Sequence, residues 1–571
     1  MRVKKKMDWR KLSLLGSIGF VTWMLVIQWS NFEPPVVVNT VEPITVPSLS
    51  DTGSSLPVLP NDLDEMDIPK TKLFDIKKNE KYESKTNVVF VETDVFDVII
   101  DLNGGDIIDV KLHQYLTKSS GDDGLPLQMM LRSADRFFVA SSGLIGRDGT
   151  DSRTLGRPIF STDKYRYTLG TNNVLEVDLF YDQNNTDIVK RFIFKKSKYD
   201  IGVNYILTNN TMSSWEGRFF GQIKRDSKPP SGFKSGSFLQ PPSFLGGARR
   251  EEDKNFAKYS FSDMAEEPPS SSIKGGWLAF MQHYFTAAWV PPQDEVNRFD
   301  FKQSKERAGH NILSFVGQPI TVPAGSTNSY SAKLYVGPKD QNSLRELAEH
   351  LDLVVDYGVF WIICKPIHQA MVAIHSYIGN WGWAIVVLTI IIKILLFPLS
   401  ARSLKSMARM RSLQPQMERL KELYGEDRQK MGQEQMALWK KEKVNPLGGC
   451  LPMLLQMPVF ISLFWVLSES VEIRHAPWLL WITDLSSMDP FFILPVIMGV
   501  SMVAMQKLQP LPTDPMQAKV MQYMPIAFTF MCLWFPSGLV LYWTVNNLLS
   551  IGQQWIVNRQ ITSTNNSSTS V

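Results

Sequence analysis

Residues 381–400, WGWAIVVLTIIIKILLFPLS, constrain this chain more than any other stretch. A helix rises 1.5 Å per residue, so about 20 apolar residues cross the ~30 Å hydrocarbon layer of a bilayer. One cation, Lys393, interrupts the run. A charge at the centre of a span costs about 2.5–3.5 kcal/mol on insertion scales, and such residues usually face a wet cavity. Lys393 lies about 12 residues into the segment, hence ~18 Å deep. Ser400 is roughly 10 Å further on, a long reach for a lysine stem snorkelling to the surface. Thr389 sits one turn before Lys393 on the same face. The last apolar run adds Asn546, Asn547 and Gln553. These five residues are candidates for a polar groove inside a membrane bundle.

The chain has 571 residues, enough for two or three domains. It divides into a mixed, polar part up to about residue 350 and an apolar part after about residue 380. The net charge of +4 is too small to argue for a nucleic-acid function. Cys364, Cys450 and Cys532 all lie in or beside the apolar part, so the polar part has no disulfide framework.

Lys4, Lys5, Lys6, Arg10 and Lys11 precede an apolar run over 12–29. Trp29, Asn31, Phe32 and Pro34 follow, with no small-residue cleavage site. This reads as an uncleaved signal anchor rather than a cleaved signal peptide, with the N-terminus held in the cytoplasm by its cations. Residues 31–70 are rich in Pro, Ser, Thr, Val and Asp without a period, which predicts a linker.

From Asn87 the pattern alternates apolar and polar residues and turns at Asn103, Gly104 and Gly105. Further strand candidates are VLEVDLFYD, DIVKRFIFKK, DIGVNYILT, GWLAFMQHYFTAAWV and SYSAKLYVG. Their spacing predicts a large antiparallel sandwich ending near Gly337, with a long loop over 228–247. The sequence has no phosphate-cradling glycine loop, His-Glu-x-x-His, nucleophile elbow or cysteine pair. His113, His283 and His310 are scattered and read as structural or surface histidines. No metal, cofactor or enzymatic reaction is indicated.

Ser343 and Glu346 have capping-box spacing for a helix leading back to the membrane. The apolar stretch 360–380 is broken by Lys365, Pro366, His368, Gln369 and His375, which predicts an amphipathic helix at the interface. Residues 401–445 hold 11 Lys or Arg against 6 Asp or Glu. Their apolar positions Leu404, Met407, Met410, Leu413, Met417, Leu420 and Leu423 make one helical stripe. Gly425 ends it, and a second helix predicts a hairpin. A solvated connector and a methionine-rich docking arm are both open readings.

The expected segments are a signal-anchor span at 1–30, a linker at 31–70, a β domain at 71–345 and connecting and interfacial helices at 346–380. Span 2 at 381–400 leads to a cytoplasmic hairpin at 401–449, span 3 at 450–468 and a periplasmic loop at 469–490. Span 4 at 491–508, a cytoplasmic loop at 509–520, span 5 at 521–537, span 6 at 538–557 and a tail at 558–571 complete the chain. Basic residues fall on the cytoplasmic side of every loop, so both termini are expected there. A groove with a cation can hold a polar or acidic stretch of another polypeptide part-way into the bilayer. Spans 2–6 contain no acidic residue of the kind a proton relay needs, which weighs against an ion-coupled transporter. A transporter or channel with a periplasmic sensor domain, and a membrane-anchored sugar enzyme, are the competing readings.

The stretches VNPLGGCLPMLLQMPVF (444–460), APWLLWITDLSSMDPFFILPVIMGV (476–500), TDPMQAKVMQYMP (513–525) and LWFPSGLVLYWTVNNLL (533–549) resemble the signatures of the YidC membrane protein insertase family. The resemblance covers the whole membrane half in order. The first span and the β domain resemble the Gram-negative form of the family. The resemblance implies a polytopic helical bundle of six spans with a five-span core, plus a periplasmic all-β supersandwich related to sugar-mutarotase folds. It implies a hydrophilic groove open to cytoplasm and lipid and closed to the outside. The family's groove cation is usually arginine at the position of Lys393; lysine keeps the charge but loses the bidentate fork. An apolar client slide maps to Met453, Met457, Phe460, Phe464, Met524, Phe528 and Met531. Implied partners are nascent membrane proteins, the Sec translocon, the lipid bilayer and the ribosome through cytoplasmic loops, at the bacterial inner membrane.

Overall fold

The computed structural model describes residues 87–117, 124–152, 156–230, 243–304, 309–424, 427–442, 451–508 and 515–568. The signal-anchor span, the linker, Gly425 and most of the loop at 228–247 lie outside the described residues.

Strands occupy Val88 to Pro338 and form a ten-stranded and an eight-stranded sheet, nearly all antiparallel. Period-two alternation puts one face of each strand inward. Thr186–Lys195 alternates buried and accessible residues along its length, and so does its neighbour Asp200–Asn209. Phe192, Val203, Tyr205 and Leu334 from the smaller sheet meet Ile100, Ile223 and Phe315 from the larger one in a single core. The segment GWLAFMQHYFTAAWV forms two strands, Leu278–Met281 and Phe285–Val290, and every residue in both is buried. Their second face is covered by Leu344, Leu351 and Val354 of the linker back to the bundle. That cover explains the continuous apolar run, since a sheet buried on both faces needs no alternation.

The central strand Trp215–Asp226, absent from the sequence expectation, pairs with Phe137–Ile145 on one side and His310–Val322 on the other. Glycines and charges disguise its alternation. Gly221 has a packing reason: a Cβ there would stand 2.4 Å from the Phe315 ring. Inside the sandwich the Lys190 ammonium donates to the carbonyls of Gly104 (2.9 Å), Gly105 (2.8 Å) and Ser142 (3.1 Å). Arg157 beside it pairs with Asp106 and with Asp151 at 3.1 Å.

Helix α1 (Phe261–Glu266) carries a capping box from Ser260 and Asp263. Helix α2 (Gln341–Leu347) begins two residues before Ser343, so the expected cap there is corrected. Asp340 is the cap, its carboxylate accepting from the Ser343 N–H at 2.9 Å. Asp340 directly precedes the helix and competes better than a serine already inside it.

Helix α3 (Trp361–Ile378) buries Cys364, Ile367, His368 and Met371 and exposes Trp361, Ile362 and Tyr377. Helix α4 runs unbroken from Trp381 to Ser412, through Pro398. The basic hairpin therefore consists of α5 (Gln414–Tyr424) and α6 (Arg428–Lys441), while Leu404 and Met410 belong to the end of α4. Of the stripe, Leu413 and Met417 are buried and Leu423 is exposed. Helices α7 (Leu451–Glu469), α8 (Ile493–Lys507), α9 (Pro515–Cys532) and α10 (Ser537–Ser568) complete the bundle. Among the described residues, 381–406 is the one helical stretch long and apolar enough to cross a membrane by itself. The bundle exposes many large apolar side chains, including Ile394, Leu395, Val500 and Phe530. A water-facing surface rarely carries so large a patch.

The two halves meet where α7 ends. Val471 enters the sandwich core and Ile473 the helical core. Arg474 donates to the Leu116 carbonyl at 2.6 Å, and a His283 ring nitrogen lies 2.7 Å from the Ser468 carbonyl oxygen.

Two stability measurements test this packing. Trp277 is fully buried and its indole donates to the Glu349 carbonyl at 3.0 Å. Trp277→Ala should cost about 3–5 kcal/mol in denaturant unfolding of the purified chain. Burial also lowers the Lys190 pKa from 10.5 to about 7, against the attraction of Asp106. Between those values the unfolded chain binds the extra proton, so this group makes stability rise with pH. Lys190→Met should remove that rising component from unfolding curves taken between pH 7 and 10, as well as lowering stability overall.

Candidate substrate groove

A lysine ammonium has three N–H donors and no acceptor. On α4, Lys393 points its Nζ at the Ser550 hydroxyl, 2.8 Å away, and at Gln456 Oε1, 3.3 Å away. Gln456 on α7 in turn donates to the Tyr542 hydroxyl at 3.1 Å and to Asn546 Oδ1. Tyr542, Asn546 and Ser550 follow one another at four-residue spacing, which stacks them on one face of α10. The Ser550 hydroxyl donates to the Asn546 carbonyl at 2.7 Å, so its lone pair is aimed at the ammonium. Three helices thus converge on one half-buried cation. Among the described residues no carboxylate lies within ion-pair distance of Lys393, and the contacts above use two of its three donors. The ammonium can donate one further hydrogen bond, to a carbonyl, hydroxyl or carboxylate oxygen.

Of the residues expected in the groove, Lys393 and Asn546 share this network through Gln456. Thr389 does not join it. Its hydroxyl is buried and donates to the Ile385 carbonyl at 2.7 Å, one turn back on its own helix. Asn547 faces the other way and donates to the Ser501 hydroxyl at 3.0 Å, tying α10 to α8. Gln553 is half-buried, three residues beyond Ser550. Sequence reasoning missed Gln456, Ser550 and Tyr542. Gln456 was findable as the sole polar side chain in LPMLLQMPVF. Ser550 was findable as the residue one turn beyond Asn546.

The expected slide residues divide in two. Met457 and Met524 are exposed. Phe460, Phe464, Phe528 and Met531 are half-buried and pack inward. The side chain of Met453 lies outside the described ones. Trp543 joins the two faces: its ring centroid is 4.3 Å from Phe460 on α7 and 4.4 Å from Phe528 on α9. Aromatic pairs of this kind add about 0.5–1.5 kcal/mol beyond their buried area. Among the described residues no group of three or more His, Cys, Asp or Glu is placed to hold a metal.

Known proteins resemble the chain along nearly its whole length. The family model described as YidC periplasmic domain matches residues 88–370, and that described as 60Kd inner membrane protein matches 373–565. The membrane protein insertase YidC of Stutzerimonas stutzeri is 45% identical over 569 residues, covering 97% of this chain and 99% of that one. The Azotobacter vinelandii protein of the same name is 44% identical over 568 residues, with the same coverage. A crystal structure of an active YidC insertase with its first transmembrane domain resolved covers 82% of this chain and 92% of its own, at 18% identity and a TM-score of 0.36. Two family models and full-length relatives agree, and the chain belongs to the YidC family of membrane protein insertases.

Proposed function

We propose that this inner-membrane insertase receives the polar part of a nascent membrane protein at the Lys393 network and releases its apolar part sideways into lipid. The observation that carries the reading is the unpaired ammonium held by Ser550 and Gln456. A polar segment leaving water must find hydrogen-bond partners, or it costs several kcal/mol per group. A fixed cation with a spare donor lowers that cost, most of all for an acidic segment. The step is non-covalent, and the exposed apolar faces of α4, α8 and α9 give the client's hydrophobic part a route into the bilayer by partitioning alone.

In this reading six spans cross the membrane: 1–30, 381–400, 450–468, 491–508, 521–537 and 538–557. The basic hairpin around α5 and α6 and both termini face the cytoplasm, in line with the charge bias of the loops. Helix α3 lies along the outer interface, supported by its buried stripe and its exposed Trp361 and Tyr377. The outer end of the groove is closed by backbone contacts: Ser537 N–H donates to the Ser487 carbonyl at 2.7 Å, and Gly538 N–H to that of Leu485 at 2.9 Å. The groove proper is Lys393, Gln456, Asn546 and Ser550, with Gln553 at its cytoplasmic mouth. Thr389 and Asn547 act as bundle supports. Exposed Met457 and Met524 belong to the client slide, with Phe460, Phe464, Phe528 and Met531 behind them and Met453 on the same helix as Met457, Phe460 and Phe464. Ribosomes dock through the cytoplasmic hairpin and loops, and the chain works alone or with the Sec translocon.

The chain reconstituted alone into liposomes should protect a small client with an acidic external segment from added protease. Lys393→Ala should lower the protected fraction about tenfold or more, in keeping with about 2.5–3.5 kcal/mol for an intramembrane charge. Lys393→Arg should stay close to the parent chain. Equal protection by the alanine variant would refute the assigned role of Lys393.

A further inference from the structure

Between α7 and α8 the chain makes a loop whose two carboxylates are bonded to its own backbone and hydroxyls, while the indole N–H groups of Trp478 and Trp481 are buried without a partner among the described residues. The Asp484 carboxylate accepts from the backbone N–H of His475 (3.0 Å) and Ser486 (2.9 Å) and from the hydroxyl of Ser487 (2.7 Å). The Asp489 carboxylate accepts from the N–H of Phe491 (3.0 Å) and Leu494 (2.7 Å) and is itself buried. Backbone bonds add to these: Trp478 N–H to the Ile482 carbonyl, Ile482 to Leu479, Leu485 to Ala476 and Phe492 to Asp489. From 476 to 492 there is no Lys, Arg or Glu, so neither side of the loop offers a free charge.

Apart from Thr483, what the loop exposes is apolar. Leu480 is 86% exposed and held at φ +53°, a left-handed conformation that costs a leucine about 1–2 kcal/mol. Leu479, Met488 and Phe491 are also exposed. The loop is no floppy tip, because Ile482 and Leu485 anchor it in the helical core. One end runs into the outward face of α4, where the Trp478 ring lies 5.9 Å from exposed Trp383. The other runs through Phe492 into the exposed α8 stripe of Val496, Ile497 and Val500.

We propose that the 476–492 loop is a preformed wedge seated in the outer leaflet, with Leu480 at its tip in the boundary between headgroups and acyl chains. The occupant is lipid because the apolar surface is continuous with the lipid-facing sides of α4 and α8, and because its carboxylates are already satisfied by backbone. Irregular backbone is not tolerated bare in hydrocarbon, so a loop bonded only in part, with the Trp478 and Trp481 indoles unpartnered, belongs at the boundary, where headgroups offer acceptors. The boundary depth matches the ~5–10 Å over which interfacial segments bury their apolar faces. The wedge would fix the depth and rotation of the outer end of the bundle, where the groove is closed. The inference rests on the reading that α4 crosses the bilayer.

The test places a bimane fluorophore on Leu480→Cys in a chain whose three native cysteines are alanine, reconstituted in lipid nanodiscs. Ile394→Cys serves as the lipid-facing reference and Val174→Cys, exposed on the β domain, as the aqueous one. The expected result is quenching of Leu480→Cys by lipid nitroxide at acyl carbon 5, at least twofold stronger than at Val174→Cys, and at least twofold less quenching by iodide. A Leu480→Cys label that tracks Val174→Cys, while Ile394→Cys is quenched by lipid, overturns the wedge alone. If both Leu480→Cys and Ile394→Cys track the aqueous reference, the spanning reading falls with it. The same label in the native-cysteine chain, corrected for labelling of the unsubstituted chain, reads the same contrast should the cysteine-free chain fail to fold.

Discussion

An ammonium ion within a bilayer needs hydrogen-bond acceptors, and the bundle is arranged around supplying them to Lys393. A glutamine from α7 and a serine from α10 do so at 3.3 and 2.8 Å. Tyr542 and Asn546 hold the glutamine in place. A carboxylate would have satisfied the charge more completely and left nothing to offer a visitor. Neutral acceptors solvate the cation without neutralising it. In the proposed reading this difference separates a groove that receives polar chain from a structural ion pair. It also makes the meeting of α4, α7 and α10 a requirement of the chemistry rather than an accident of packing.

Other polar residues in and beside the helices bond within the frame. Thr389, Thr544 and Ser470 each return a hydroxyl proton to the carbonyl four residues back. Asn547 and Ser501 join α10 to α8. Proline frees the carbonyl four residues back, and in α9 the one freed by Pro525, that of Met521, accepts from the Gln506 side-chain amide. At the end of α7 the frame passes without a gap into the β domain. Val471 and Ile473, two residues apart, belong to different cores. A movement of the sandwich would therefore be felt directly at the end of α7, 13 residues from Gln456.

Much of this was legible in the sequence because it follows from period and charge. The alternating strands Val174–Gln183, Thr186–Lys195 and Asp200–Asn209 stand where alternation placed them. The apolar run around Lys393 is a continuous helix. The central strand Trp215–Asp226 was hidden because its glycines and buried Arg225 answer to neighbouring strands, which no local pattern reveals. The extent of α4 to Ser412 was hidden because helix ends in a basic, methionine-rich stretch have no strong stop signal. In the groove the cation announced itself. Its partners depended on the rotation of α7 and α10, and Asn547 and Asn546, adjacent in sequence, face different neighbours.

The central claim is that polar client chain passes beside Lys393. Photo-reactive amino acids placed at Gln456, in the network, and at Ile394, on the exposed face of α4, would be irradiated in membranes carrying ribosome-stalled clients of increasing length. The account predicts that the client's external polar segment cross-links to position 456 at intermediate lengths, and its apolar segment to position 394 at later ones. Cross-links of the polar segment at 394 and none at 456 would contradict it.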